Sequence, residues 1–201
     1  MTSRATAFLF LLLAASTGPA SAQAVTSIET ELDKGRCKFI ADDGEVGHYA
    51  LKRCPGLAGA RVYTTAGVND VALSFKWGKK EAEVFSNGGL GLKLEWRGTK
   101  GKQGFTPHAV IVQRTFKHYL DDKYETEEKH DVWAVIRMEK RNACLMAVVD
   151  VAANPDALKL ARSIADGEAP TAVCAKLKPR IAGEKTRLAE EAIGADEPPT
   201  K

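Results

Sequence analysis

The chain is poor in the short signatures that carry recognisable chemistry. None of its four cysteines, Cys37, Cys54, Cys144 and Cys174, stands two or four residues from another. This wide spacing argues against a C-x2-C zinc site and against a thioredoxin-type dithiol. No serine lies in G-x-S-x-G, and there is no Walker loop and no G-x-G-x-x-G. The patterns of an α/β-hydrolase, an NTPase and a dinucleotide enzyme are therefore missing. No pattern implies a cofactor. Charge of one sign is also lacking: 29 Lys and Arg stand against 26 Asp and Glu, which makes no electrostatic case for a nucleic-acid partner. Past the N-terminus the longest uncharged apolar stretch, Ala143 to Val149, is strand-sized. A spanning helix needs about 20 residues, so no transmembrane segment is expected in the mature chain.

What is present begins with the leader "MTSRATAFLFLLLAASTGPASAQA". Arg4 precedes a short apolar run, Gly18 and Pro19 break it, and Ala20-Ser21-Ala22 supplies small residues. This is the order of a secretory signal peptide. Residues 1–22 are expected to be removed by cleavage between Ala22 and Gln23, giving a periplasmic or secreted protein. An even number of cysteines in an exported chain reads as disulfides, because thiols pair and stay paired in an oxidising compartment. Three connectivities exist for four cysteines; the preferred one joins Cys37 to Cys54 and Cys144 to Cys174, the two sequence-local closures. In "GRCKFIADDGEVGHYALKRCP" the first bridge would then tie the base of a hairpin that turns at "ADDGE", where Asp bonds its own backbone and Gly supplies positive φ.

Apolar residues make up 44% of the chain, a normal proportion for a globular domain. From Arg36 to about Val151 the dominant period is two. Val71, Leu73, Phe75 and Trp77 alternate with small or polar neighbours, and "EAEVFS" reads as a further strand. "LGLKLEWRG" places Leu90, Leu92, Leu94 and Trp96 on one side and Gly91, Lys93 and Glu95 on the other. "HAVIVQRTFKHY" has Val110, Val112 and Phe116 in one phase and Ile111 in the other. "VWAVIRM" and "ACLMAVVDV" read as a hairpin joined by "EKRN". Late in the chain, "NPDALKLARSIADG" carries a helix signal, with Asn154 as N-cap, Pro155 at the first position and Gly167 after the last turn. "APTAVCAKL" reads as extended. The fold class expected is α+β: a curled antiparallel sheet or partly closed barrel with one C-terminal helix packed on it, stapled by disulfides. The domain is expected to span residues 23–180. Residues 181–201 read as a weakly ordered tail with a short, mostly polar helix in "GEKTRLAEEAIG".

Two surface features could carry chemistry. His118, Asp121, Asp122, Glu125, Glu127, Glu128 and His130 gather around one connection and include metal-ligating types, with His118, Asp121 and His130 the central candidates. Their spacing fits no ligand motif, and a charge-rich hairpin tip is usually solvated. Lys93, Arg97, Lys100 and Lys102 surround Trp96, a combination able to meet an anionic glycan, a lipid headgroup or a nucleic acid. The alternation, however, points Trp96 inward with Leu94.

"RCPGLAGARVYTTAGVNDVALSF", "LEWRG" and "VVDVAANPDALKLARSIAD" followed by Cys174 resemble a family of small exported alphaproteobacterial proteins. That family pairs a CPG segment, an EWR strand and an ANPDA helix start. The resemblance covers roughly Arg53 to Cys174 and implies an exported α+β domain, with no activity attached. The expected function is a non-enzymatic binding or structural protein of the envelope, its partner an envelope protein or glycan. The alternative is a metal-dependent or hydrolytic periplasmic enzyme using the His118–His130 region.

Overall fold

The computed structural model describes residues 24–33, 35–42, 50–67, 70–119 and 127–194. The leader, Asp121 and the Asp43-Gly44-Glu45 part of the "ADDGE" turn lie outside these. Among the described residues the period-two segments form two sheets. The first holds β1 (Val25–Glu31), β7 (Gly89–Gly101), β8 (Gly104–Tyr119), β9 (Glu127–Glu139), β10 (Asn142–Asp150) and β11 (Arg180–Ile181), in the order 1-7-8-9-10-11. The second is a meander of β2 (Lys38–Asp42), β3 (Ala50–Cys54), β4 (Arg61–Ala66), β5 (Val71–Trp77) and β6 (Lys80–Phe85). All pairings are antiparallel except β10 with β11. The outcome is α+β with two disulfides, and the strands divide between two sheets that are not closed as a barrel.

The long strands of the first sheet are buried on both faces. On one face Leu94, Trp96, Val110, Val112, Val132, Ala134 and Ile136 meet Val62, Leu73, Phe75 and Phe85 of the meander. Trp96 is fully buried, stands edge-on to Phe75 with centroids 5.8 Å apart, and donates Nε1–H to Thr30 Oγ1 at 2.8 Å. On the opposite face Ala109, Ile111, Val135, Ala147 and Val149 receive α1 (Ala157–Gly167) through Ala157, Ala161, Ile164 and Ala165. Burying each Val, Leu or Ile contributes roughly 1.5–3 kcal/mol, so the doubly covered β8, β9 and β10 form the stable centre. Arg114 is also fully buried, with its guanidinium over the rings of Phe85 (3.9 Å) and Phe116 (4.6 Å) and donating to Asn87 Oδ1.

Several details depart from the pattern. Leu90 pairs with Arg114 and Leu94 with Val112, so β7 carries two extra residues there, and Leu92 is 70% exposed instead of following Leu94 inward. Asn154 does not cap α1 with its side chain. Its Nδ2 donates to the carbonyls of Asp150 and Glu184, and its Oδ1 accepts from Glu184 N, while Asp156 occupies the N-cap position. "APTAVCAKL" is not extended but holds two 3-10 turns, Ala169–Thr171 and Cys174–Lys176. The boundary at 180 falls inside β11. Past it, α2 (Arg187–Gly194) buries Ala189 and rests Ile193 against the core.

Both bridges form, Cys37–Cys54 and Cys144–Cys174. The first ties β2 to the end of β3, which pair from Lys38↔Arg53 to Asp42↔Ala50.

The β7–β8 hairpin carries a bulge near its tip. Arg97 faces Ala109 and Gly98 faces Pro107, so His108 is the extra residue. Opposite it, a Cβ on Gly98 would lie 2.3 Å from Thr106 O and 2.8 Å from Pro107 Cα. Gly98→Ala is expected to cost about 1–3 kcal/mol through overpacking, read as a lower urea midpoint at unchanged slope. Gly167→Ala, whose Cβ meets nothing within 4 Å, should leave stability unchanged or raise it by up to about 1 kcal/mol. Equal midpoints for the two variants would show that the hairpin shifts freely.

Candidate functional site

A cleft of about 1190 Å³ opens at one end of the molecule. Five connections build it: the 57–60 loop, the β5–β6 turn, the tip of the β7–β8 hairpin, the β9–β10 turn and the segment that follows α1. Its size is at the upper end of small-molecule sites. Leu57 and Trp77 present partly buried apolar surface to it, backed by Met138. Lys79, Lys140 and Arg141 stand exposed at its rim.

Local sequence explains how these groups reach one place. Cys54 fixes the start of the 57–60 loop, and Ala60 N–H closes it on Leu57 O at 3.0 Å. Ala58 has φ 52° and Arg141 φ 62°. These two are the non-glycine residues in the left-handed region among the described residues, and both line the cleft. Glycine or asparagine would relax either turn, and such strained positions concentrate at functional sites.

The inner wall is polar. The bulge aims His108 toward α1, where Nε2 lies 3.8 Å from Asp166 Oδ1, beyond hydrogen-bond reach. His108 Nε2 has no hydrogen-bond partner. Burial pushes the imidazole below its ordinary pKa; Asp166 opposes this and Arg137 and Arg97 add to it. Asp166 itself accepts two hydrogen bonds from Arg97, with Nε–Oδ1 2.9 Å and Nη2–Oδ2 2.5 Å. Behind that pair Glu95, only 7% exposed, accepts from Ser27, Arg97 and Arg162. Burial raises the Glu95 pKa, but the bonds from Arg162, Ser27 and Arg97 prevail and hold it below the usual range. This network clamps α1 to β7. Arg137 is placed by carbonyls: Nε donates to Ala172 O at 2.9 Å, Nη1 to His108 O at 3.0 Å and Nη2 to Pro170 O at 3.5 Å. Burial pushes its guanidinium down, against the pull of Glu139. Glu139 Oε1 accepts Cys174 N–H at 2.7 Å.

The residues singled out from sequence are scattered over other places. His130 is buried, with Nε2 3.4 Å from Asp150 Oδ1. It is in register with Phe116, while His118 is in register with Glu128; Asp121 lies outside the described residues. Among the described residues no group of three His, Cys, Asp or Glu side chains is arranged to hold a metal ion. Lys93 pairs with Glu29 at 3.0 Å. Arg97 is 14% exposed and engaged by Asp166 and Glu95. Lys100 and Lys102 are exposed near the hairpin tip.

Sequence reading missed Arg137 and Asp166, and it named His108 only as one of three histidines that a pocket could gather with acidic residues. One signal was available: Arg137 and Glu139 continue the phase of Trp133 and Val135, so charge sits in line with a buried face. Comparisons with family models, with curated proteins and with solved structures give no match, and the chemistry of the cleft is read from this chain alone.

Proposed function

We propose that the protein is a non-enzymatic binding protein of the cell envelope, exported with loss of residues 1–22, and that the cleft is its ligand site. It would thereby belong to the exported family that its CPG, EWR and ANPDA segments resemble. The observation that carries the reading is the convergence of the two left-handed non-glycine residues among the described residues, Ala58 and Arg141, on one large cleft. Strain of order 1–3 kcal/mol per residue persists only where the surrounding structure holds it. Two disulfides support the exported half of the reading, because such bonds form and last in oxidising compartments.

Native mass spectrometry of the protein extracted gently from an envelope fraction tests this. A stoichiometric ligand should accompany the wild type and be lost in Trp77→Asp, which places a carboxylate on the apolar wall while leaving the Trp96 core intact. Ligand-free wild type, or equal occupancy in the variant, would sink the reading. Stoichiometric metal that survives chelator-free purification and disappears in His118→Ala would support the metal-dependent enzyme instead.

A further inference from the structure

The charge of the cleft is unbalanced. Four cations line it, Lys79, Arg137, Lys140 and Arg141, against two carboxylates, Glu139 and Asp166. Both carboxylates already have donors: Asp166 is held by Arg97, and Glu139 accepts the Cys174 N–H. Among the described residues none of the four cations makes a salt bridge. That is ordinary for the three exposed ones and unusual for Arg137, since a partly buried charge is normally paired. Carbonyls orient the Arg137 guanidinium, and Glu139 attracts it without forming a salt bridge. The carbonyls occupy three of its five N–H groups, so two remain for a ligand. A planar guanidinium held this way is suited to a carboxylate or phosphate group. The volume, about 1190 Å³, far exceeds what a bare anion fills, and the lining also offers the partly buried apolar surface of Trp77 and Leu57.

We propose that the cleft binds a single-chain anionic amphiphile, its carboxylate or phosphate head on Arg137 beneath the Lys79–Lys140–Arg141 rim and its apolar body along Trp77 and Leu57. This rests on the reading of the cleft as the ligand site. The rim attracts the head, Arg137 fixes it by hydrogen bonds, and the indole covers the chain. Part of the affinity is electrostatic and is screened by salt.

The test is calorimetric titration of the oxidised protein below micellar concentrations with four probes: dodecanoate, dodecyl phosphate, inorganic phosphate and dodecyl maltoside. The two anionic amphiphiles should saturate at one per chain, and the tighter of them identifies the head group. Inorganic phosphate and the uncharged maltoside should each bind at least tenfold more weakly. Arg137→Met should weaken the anionic amphiphiles ten- to a hundredfold, the usual effect of losing hydrogen bonds to a charged group, and leave the maltoside unchanged. Because Arg137 also anchors residues 170–172, the exposed Lys140→Glu/Arg141→Glu double variant serves beside it. It should keep the wild-type melting temperature and weaken the anionic probes at least fivefold. Maltoside binding as tight as dodecanoate, with neither variant having an effect, would overturn the anionic inference and leave the cleft as a ligand site. Inorganic phosphate binding as tightly as dodecyl phosphate would overturn the amphiphile. Failure of all four probes to bind would overturn the inference; the cleft reading would then stand or fall on the envelope-extracted protein.

Discussion

Replacing Asp150 with alanine is expected to lower the free energy of unfolding by about 3–5 kcal/mol, the range found when one partner of a buried charged cluster is removed. Asp150 is fully buried at the end of β10. Its Oδ1 accepts from Ala152 N at 2.9 Å and Ala153 N at 3.2 Å, and its Oδ2 from Thr186 N at 2.8 Å and Thr186 Oγ1 at 2.6 Å. One side chain thus closes the turn into α1 and anchors the approach to α2. Alanine would leave buried donors without an acceptor, each costing about 1–3 kcal/mol. Burial pushes the Asp150 carboxyl up, but the Thr186 and Ala153 donors and nearby His130 outweigh it, so the group sits below the ordinary aspartate range. An acid depressed in the folded state contributes its full stability above its unfolded value, about 3.9, and loses it as pH falls through the folded one. The variant should therefore show less acid sensitivity below about pH 4, as well as a lower urea midpoint at neutral pH. A loss under about 1 kcal/mol at neutral pH would contradict this account of the turn.

The second large effect concerns the Cys144–Cys174 bridge, whose partners are 30 residues apart. Chain entropy alone assigns such a closure about 3–4 kcal/mol. The bridge ties β10 to the strap that carries both 3-10 turns, and that strap lends Ala172 O and Pro170 O to Arg137. Cys144→Ala/Cys174→Ala should therefore lower both stability and occupancy of the cleft. The bridge between Cys37 and Cys54, 17 residues apart, ties an edge hairpin of the meander. Its removal should cost about 3 kcal/mol at most, read mainly as faster amide exchange in β2 and β3. Reversal of that order would mean that the hairpin, and not the strap, limits global unfolding.

Much of this architecture was legible where one residue's phase decides one residue's place. Val110, Val112 and Phe116 face the meander while Ile111 faces α1, as the double phase of β8 requires. The reading failed at Leu92, where β7 carries two residues more than β8, because a bulge leaves no mark in alternation. It failed again at Asn154, whose position resembles an N-cap but whose amide is engaged by a segment 30 residues later. β11 is set by its partner more than by its own residues, since it is two residues long and has no pattern to read. The cleft was invisible for a related reason. Five connections far apart in the chain contribute to it: Arg137, Lys140 and Arg141 share one short window, but Lys79, Trp77 and Leu57 come from the meander and its loops.

The brevity of β11 bears on how the protein ages in solution. Arg180 and Ile181 pair with Ala147 and Val148, and Ala182 N–H reaches Val148 O at 2.9 Å; this is what covers the outer rim of β10. Beneath it runs Ala143–Val149, seven uncharged apolar residues, whose free backbone groups would otherwise template the addition of other chains. This two-residue strand therefore blocks part of an edge that could otherwise accept another chain. A protease that trims the protein back past Arg180 would uncover that rim and also remove Thr186, a donor to the buried Asp150 carboxylate.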